Sequence, residues 1–104
     1  MNGVELKEEA GILTARLSRE IDHHSAKGMR EQIDTALIIK RPRLLRLDFS
    51  GVEFMDSSGI GLIIGRAGKA SDIGCEVEVT GLSETLRRLV RISGVQKLKN
   101  LRIT

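Results

Sequence analysis

The sequence predicts a single α/β domain built on a mixed sheet of four to five strands and covering residues 1–104. Short segments alternate apolar and polar residues, which is the period of a half-buried strand. Longer segments repeat apolar residues every three or four positions, as amphipathic helices do. Their order is strand, strand, helix, strand, helix, strand, helix and strand, and each strand–helix–strand step is expected to cross over right-handed.

The chain begins with two strands that should pair as an antiparallel ribbon. Val4 and Leu6 lie on one face of the first strand. Gly11 supplies the backbone freedom for a turn over Glu8 to Gly11. The apolar face of the second strand is formed by Leu13, Ala15 and Leu17.

The first helix follows a polar connection that spans Ser18 to His24. Ser25 is the expected N-cap, because a short hydroxyl side chain can accept a hydrogen bond from an unpaired N–H. Asp34 is expected to face water. Pro42 marks the end of the helical region, since the residue before a proline avoids helical geometry. The apolar stripe of the helix consists of Ala26, Met29, Ile33, Ala36 and Leu37.

The segment from Leu44 to Arg66 is predicted to be a buried strand that turns abruptly into a second helix. The turn, Asp56-Ser57-Ser58-Gly59, is made of residue types favoured at a helix N-cap. One interpretation is that Ser57 or Ser58 serves only as this cap. The helix should run from about Ser58 to Ser71. Each interior glycine costs about 0.5–1 kcal/mol relative to alanine, which favours close approach of the backbone to the sheet or to a docked partner. These glycines are Gly59, Gly61, Gly65 and Gly68.

The last third of the chain predicts a fourth strand over Cys75 to Val79 and a third helix. Ser83 is the expected cap of this helix, and Ser93-Gly94 is its expected end. Its apolar side is predicted to be Leu86, Leu89 and Val90. A closing strand or tail should then contain Val95, Leu98 and Leu101.

Composition argues against several classes of protein. The single cysteine cannot form an internal disulfide, and its alternating surroundings indicate a buried thiol. No apolar run approaches the roughly 18 residues of a membrane span. The segment Met1 to Glu5 lacks the basic start and apolar core of a secretory signal. The net charge of +3 is modest and Tyr and Trp are absent, so stacking on single-stranded nucleic acid is not expected.

Four site chemistries compete around the polar turn. Ser57 with His23 or His24 and Asp22 has the residue types of a catalytic triad, but the G-x-S-x-G elbow is absent. A glycine-rich nucleotide loop beginning at Gly59 is disfavoured, because position 64 is Ile and no Walker lysine follows. The two histidines have no matched second cluster of metal ligands. A hydroxyl at a helix start, where the dipole and free N–H groups stabilise added negative charge, favours a modification site instead.

The sequence Phe54-Met55-Asp56-Ser57-Ser58-Gly59-Ile60-Gly61 closely resembles the phosphorylation loop of bacterial anti-sigma factor antagonists of the STAS domain family. The upstream segment Glu20 to Ala26 resembles the sporulation branch of that family, which acts in the sigma-F pathway. Residues 81–98 match its closing helix and strand. The resemblance covers nearly the whole chain and implies a STAS-like fold with the helices packed mostly on one face of the sheet.

This resemblance implies a protein that is modified rather than one that catalyses a reaction. The unphosphorylated form would bind an anti-sigma factor that is also a serine kinase, and would thereby free a sigma factor and regulate transcription. Phosphorylation would switch the protein off, and a serine phosphatase would restore it. ATP would belong to the partner kinase; no cofactor, metal, nucleic acid or membrane is expected on this cytoplasmic chain. The alternative is a non-phosphorylated STAS scaffold module in another bacterial signalling complex.

The resemblance also implies the site residues. The phosphorylated serine follows the aspartate of the motif, which places it at Ser57, and Ser58 takes its place if the register of the loop differs. Asp22 is expected to contact a basic residue of the partner. The expected partner-binding surface comprises Asp22, His23, His24, Ser25, Asp56, Ser58, Gly59, Ile60 and Gly61.

Overall fold

A computed structural model describes residues 3–104 of the chain. Met1 and Asn2, on which the prediction about a secretory signal partly rests, lie outside this range. The strands are β1 Val4–Glu9, β2 Ile12–Leu17, β3 Glu20–Ile21, β4 Leu44–Asp48, β5 Phe54–Met55, β6 Glu76–Thr80 and β7 Leu101–Ile103. The helices are α1 His23–Lys40, α2 Ser57–Asp72 and α3 Glu84–Ser93, with a 3-10 turn at Val95–Lys97.

The main sheet has five strands in the order β1-β2-β4-β6-β7, as the predicted fold class requires. β1 pairs antiparallel with β2, and the other neighbours are parallel. Three strand–helix–strand steps therefore advance in one direction across the sheet. Right-handed crossovers in one direction place their helices on the same face.

The core lies between this face of the sheet and the helices. Alternate residues of each inner strand are buried there, while their neighbours on the opposite face are more exposed and, apart from Ile12 and Leu44, polar. The Arg46–Glu78 ion pair, with Nε 2.9 Å from Oε1, lies on that polar face. The sheet contributes Leu13, Ala15, Leu17, Leu45, Leu47, Val77 and Val79 to the core, and the helices contribute Ala26, Met29, Ile33, Leu37, Leu62, Ile63, Ala67, Ala70, Leu86 and Val90.

Most element boundaries fall within one or two residues of the predicted ones. The N-caps of α1 and α2, however, are not the residues considered from the sequence. The cap of α1 is Asp22 rather than Ser25, and the cap of α2 is Asp56 rather than either following serine. In each case an aspartate lies one residue before the helix and offers a carboxylate, which competes well with a hydroxyl for the unpaired N–H groups. Ser83 caps α3 as predicted.

Two further predictions about packing are wrong. Leu89 of α3 is 37% exposed rather than part of the apolar side. Asp34 does not simply face water, because its Oδ1 lies 2.8 Å from Nε of the buried Arg66 and thereby connects α1 to α2. The predicted buried thiol is confirmed, since Cys75 is 1% exposed and burial raises its pKa.

Candidate functional site

A second, two-stranded sheet that the sequence did not predict brings the two candidate loops together. β3 and β5 run parallel, with Glu20 opposite Phe54 and Ile21 opposite Met55. The N–H of Asp56 donates to the carbonyl oxygen of Ile21 at 3.1 Å. Each of these strands leads within one residue into a helix. The N-termini of α1 and α2 therefore lie side by side at one corner of the domain.

The N-terminus of α1 is closed by a reciprocal pair of hydrogen bonds. Oδ1 of Asp22 accepts from the N–H of Ser25 at 2.8 Å, and Oγ of Ser25 accepts from the N–H of Asp22 at 3.0 Å. The same hydroxyl donates to the carbonyl oxygen of Glu20 at 3.2 Å. Ser25 is 7% exposed. Its hydroxyl therefore holds the loop together instead of facing solvent.

These contacts also favour the charged form of Asp22. The backbone N–H of Ser25 is the main cause that holds the pKa of the Asp22 carboxyl below its ordinary value of 3.8, with smaller contributions from the Ser25 hydroxyl and from His24. The Asp22 carboxylate therefore stays charged to a lower pH than an ordinary aspartate does.

The N-terminus of α2 uses the same kind of cap but leaves its serine free. Oδ1 of Asp56 accepts from the N–H of Ser58 at 2.7 Å. Ser57, the first residue of the helix, is exposed, and within residues 3–104 its hydroxyl has no hydrogen-bond partner. Ser58 is half-buried. Of the two serines in the turn, Ser57 is thus the more accessible to a modifying enzyme.

The glycines of α2 divide into one that the fold requires and three that it does not. A Cβ at Gly59 would lie 2.6 Å from Sδ of Met55, so this glycine allows β5 to pack under the start of the helix. Nothing lies within 4 Å of the corresponding positions at Gly61, Gly65 and Gly68. Close approach to the sheet therefore explains only the first glycine, and approach of a partner stays the prediction for the others.

The predicted surface residues divide by exposure. Ser25 and Gly59 are buried supports of the two helix starts. The half-buried members are Asp22, Asp56, Ser58 and Ile60, and the exposed members are His23, His24, Ser57 and Gly61. The structure thus brings all of the predicted residues to one corner, but only eight of these ten can offer side chain or backbone to another protein.

One prominent member of this corner, Phe54, was not among the predicted surface residues. Phe54 is 54% exposed on β5, beside the two helix starts. Large aromatic side chains are enriched where proteins dock, because they bury much area at little conformational cost. The sequence carried no signal for this exposure, because β5 has only two residues; in the structure Met55 is buried and Phe54, on the opposite side of the strand, is exposed.

The two helices that present the corner are connected further along by a buried charge. Arg66 is 4% exposed, and its Nε lies 2.8 Å from Oδ1 of Asp34 at an angle outside that of a hydrogen bond. Burial lowers the pKa of Arg66, and the nearby Asp34 opposes this effect. Asp34 and Arg66 therefore form an ion pair without a well-aligned hydrogen bond, and this pair connects α2 to α1.

Two kinds of feature are absent from residues 3–104. No group of three or more His, Cys, Asp or Glu side chains is arranged to hold a metal ion. No helix in this range is long and apolar enough to cross a membrane.

The fold and the site define a small mixed-sheet α/β domain that exposes a serine at the start of a helix. The sequence pattern described as the STAS domain matches residues 3–104. The chain belongs to the STAS domain family, which confirms the resemblance found in the loop sequence.

Relatives and solved structures agree with this assignment. An anti-sigma F factor antagonist of Paenibacillus polymyxa is 35% identical over 91% of this chain and 81% of its own length. An anti-sigma-B factor antagonist of Listeria monocytogenes is 29% identical over 91% of this chain and 83% of its own. The phosphorylated form of the Bacillus cell fate determinant SpoIIAA is 26% identical, with a TM-score of 0.74 over 97% of this chain and 90% of that one.

Proposed function

We propose that this protein is an anti-sigma factor antagonist whose activity is switched by phosphorylation of Ser57. The observation that carries the proposal is the exposed hydroxyl of Ser57, which lies directly after the N-cap of α2 and has no hydrogen-bond partner among residues 3–104. The names of the relatives support the class, and one similar structure is described as a phosphorylated form. By this proposal the protein is a regulator of transcription that catalyses no reaction itself and needs no cofactor or metal.

The partner is proposed to be an anti-sigma factor with serine kinase activity, which supplies the ATP. Its docking surface would cover the adjoining starts of α1 and α2, with Asp22 facing a basic residue of the partner. Release of the sigma factor would follow from this binding. A serine phosphatase would reverse the modification, and the setting would be the cytoplasm of a bacterium that uses a sigma-F-type sporulation pathway.

The physical basis of the switch is that the fold and the interface respond differently to a phosphate. A phosphate adds about −1.5 to −2 charges at neutral pH. At the start of α2 this charge meets the positive end of the helix dipole, so the domain itself should tolerate it. The docking surface already contains Asp22 and Asp56. A third anionic group there would be desolvated without a partner when the two proteins meet, which is costly.

The direct test is incubation with the cognate kinase and ATP, followed by intact-mass and phosphopeptide analysis. We expect one phosphate on Ser57, no incorporation by Ser57→Ala, and normal incorporation by the matched variant Ser58→Ala. Label on Ser58 or elsewhere would defeat the residue assignment. Binding of the anti-sigma factor without any incorporation would favour the scaffold alternative, since the chain would then dock without being a kinase substrate.

A further inference from the structure

The charges of the chain are distributed unevenly, and the excess lies far from Ser57 in the sequence. Residues 84–104 contain six Lys and Arg side chains against one Glu, a net charge of +5. The remaining residues, 1–83, contain eleven basic and thirteen acidic side chains, a net charge of −2. The last helix and strand thus form a basic end on an otherwise slightly acidic domain.

Part of this basic end forms a concave site between α3 and β7, the strand at one edge of the main sheet. The cavity has a volume of about 330 Å³, in the range of small-molecule sites. It shares no residue with the corner that contains Ser57. Its lining consists of Arg87, Arg91, Gln96, Leu101, Arg102 and Ile103.

Two hydrogen bonds fix the shape of this cavity. Nη2 of Arg87 donates to the backbone oxygen of Thr104 at 3.1 Å, which directs the guanidinium across the end of β7. Nε2 of Gln96 donates to the carbonyl oxygen of Arg91 at 3.1 Å, which holds the 3-10 turn against the end of α3. These two contacts order Arg87 and Gln96 in the lining, and they use no side-chain donor of Arg91 or Arg102.

The three arginines of the cavity are not neutralised by neighbouring side chains. Within residues 3–104 no side-chain carboxylate lies at ion-pair distance from Arg87, Arg91 or Arg102. The acid opposite Arg102 in the sheet register is Glu78, and its carboxylate is paired with Arg46 at 2.9 Å. Arg87 already donates to the Thr104 oxygen, whereas no partner is recorded among the described residues for the guanidinium groups of Arg91 and Arg102. Bringing these cationic side chains to one concavity is electrostatically unfavourable unless an anion joins them.

We propose that the cavity between α3 and β7, lined by Arg87, Arg91 and Arg102, binds a phosphate group. The planar guanidinium matches phosphate oxygens with two parallel hydrogen bonds, which makes arginine the preferred residue for this anion. The phosphate can belong to a small soluble molecule or to a lipid headgroup. The second source is compatible with Ile92, which projects from α3 with 78% of its surface exposed.

The test is a titration of the full chain followed by amide chemical shifts in NMR, with sodium pyrophosphate as the soluble probe and sodium chloride at equal ionic strength as the control. A parallel arm measures co-sedimentation with phosphatidylcholine vesicles that do or do not contain phosphatidylglycerol. We expect saturable shifts at residues 87–91 and 101–103 with pyrophosphate, or sedimentation with the anionic vesicles alone. The first result identifies a soluble source and the second a headgroup.

The matched variants are Arg91→Gln and Arg88→Gln, which remove the same charge from the same helix. Arg91 lines the cavity and Arg88 does not. Loss of a charge-assisted hydrogen bond should weaken binding about tenfold in Arg91→Gln, whereas Arg88→Gln should change it less than about twofold. Equal losses in the two variants would show diffuse attraction and overturn the proposal. The absence of saturable binding in both arms would overturn it as well, without affecting the proposed role of Ser57.

Discussion

The starts of α1 and α2 use the same capping chemistry for opposite purposes. Each begins after an aspartate whose carboxylate accepts a backbone N–H, and each has a serine within its first turn. At α1 the Ser25 hydroxyl is buried, accepts a hydrogen bond from the N–H of Asp22 and donates one to the carbonyl oxygen of Glu20. At α2 the Ser57 hydroxyl is exposed and unpartnered among the described residues.

This difference shows how one corner can combine a rigid element with a modifiable one. A hydroxyl that both donates and accepts within the fold cannot be esterified without breaking those bonds. A hydroxyl that has no internal role can receive a phosphate while the helix, its cap and the underlying core stay in place. In the proposed switch, the rigid start of α1 would give the start of α2 a fixed neighbour against which a partner docks.

The largest expected effect concerns partner binding by the phosphorylated form. Phosphorylation of Ser57 should lower affinity for the anti-sigma factor by about 100-fold or more, because an unpaired charge becomes buried at the interface. The free energy of unfolding should change by only ~1 kcal/mol in either direction. Isothermal titration calorimetry and thermal melting of the two forms measure these quantities on the same samples.

Variants at Ser57 should bracket this effect. Ser57→Ala should bind like the unmodified protein and resist inactivation, whereas Ser57→Asp should bind more weakly but less so than the phosphorylated form, since a carboxylate carries less charge. A phosphorylated protein that melts at a much lower temperature, yet whose folded fraction binds equally well, would show that the switch acts on the fold.

The second effect separates the support of α2 from its surface. Gly59→Ala should destabilise the domain by about 1–2 kcal/mol, because the new Cβ would meet Met55 and force the start of the helix to move. Gly61→Ala, two residues further and in open space, should stabilise it by about 0.5–1 kcal/mol through helix propensity. Urea denaturation of both variants measures the difference.

The same pair tests whether a partner approaches this helix closely. If Gly61 lies in the docking surface, Gly61→Ala should weaken binding even though it stabilises the free domain. An unchanged affinity in titration calorimetry would remove Gly61 from the interface. The loss of helix stability that this glycine causes would then have no functional reason.

Hydropathy patterns were sufficient for the first four strands of the main sheet and the three helices, because each of these elements is long enough to show its period. The last strand, β7, has three residues, and the sequence left it open as a closing strand or tail. β3 and β5 have two residues each, which is too short for any period to appear. They follow β2 and β4 along the chain, and they pair where these two neighbouring strands of the main sheet end. The element that joins the two halves of the corner was therefore the one that sequence could not predict.

Side-chain pairing was predictable only where it is local. Asp22 and Ser25 of the capping pair are three positions apart, and the sequence showed a cap here. The N-cap was expected to be Ser25, whereas it is Asp22. The ion pair of Asp34 with Arg66 joins helices that are far apart in sequence, and neither residue type stands out in its own helix. Such a contact depends on how α1 and α2 pack, which periodicity does not specify.

A third effect compares the two serines directly. Ser25→Ala should destabilise the domain by about 1–2 kcal/mol, since the N–H of Asp22 and the carbonyl oxygen of Glu20 lose a buried partner. Ser57→Ala should stay within about 0.5 kcal/mol of the original protein. Equal changes in the unfolding midpoint would contradict the different roles that the structure gives to these hydroxyls.

The smallest effect is a pH dependence at the start of α1, measured with Asp22→Asn. Asparagine caps a helix about as well as aspartate, so this variant removes the charge and keeps the acceptor. The pKa of the Asp22 carboxyl is held below 3.8 in the folded domain. A depressed pKa means that the charged group stabilises the fold at pH values above 3.8, and that this contribution disappears as the pH falls through the lower, folded-state pKa.

The original protein should therefore lose its advantage over Asp22→Asn in acid, and the two unfolding curves should converge as the pH falls below 3.8. An advantage that persists unchanged through this range would show that the carboxylate has no net role in stabilising α1. At neutral pH the same variant isolates the partner contact, because its cap is intact but its charge is absent. If Asp22→Asn then binds the anti-sigma factor as tightly as the original protein, the start of α1 contributes shape to the docking surface and no charge.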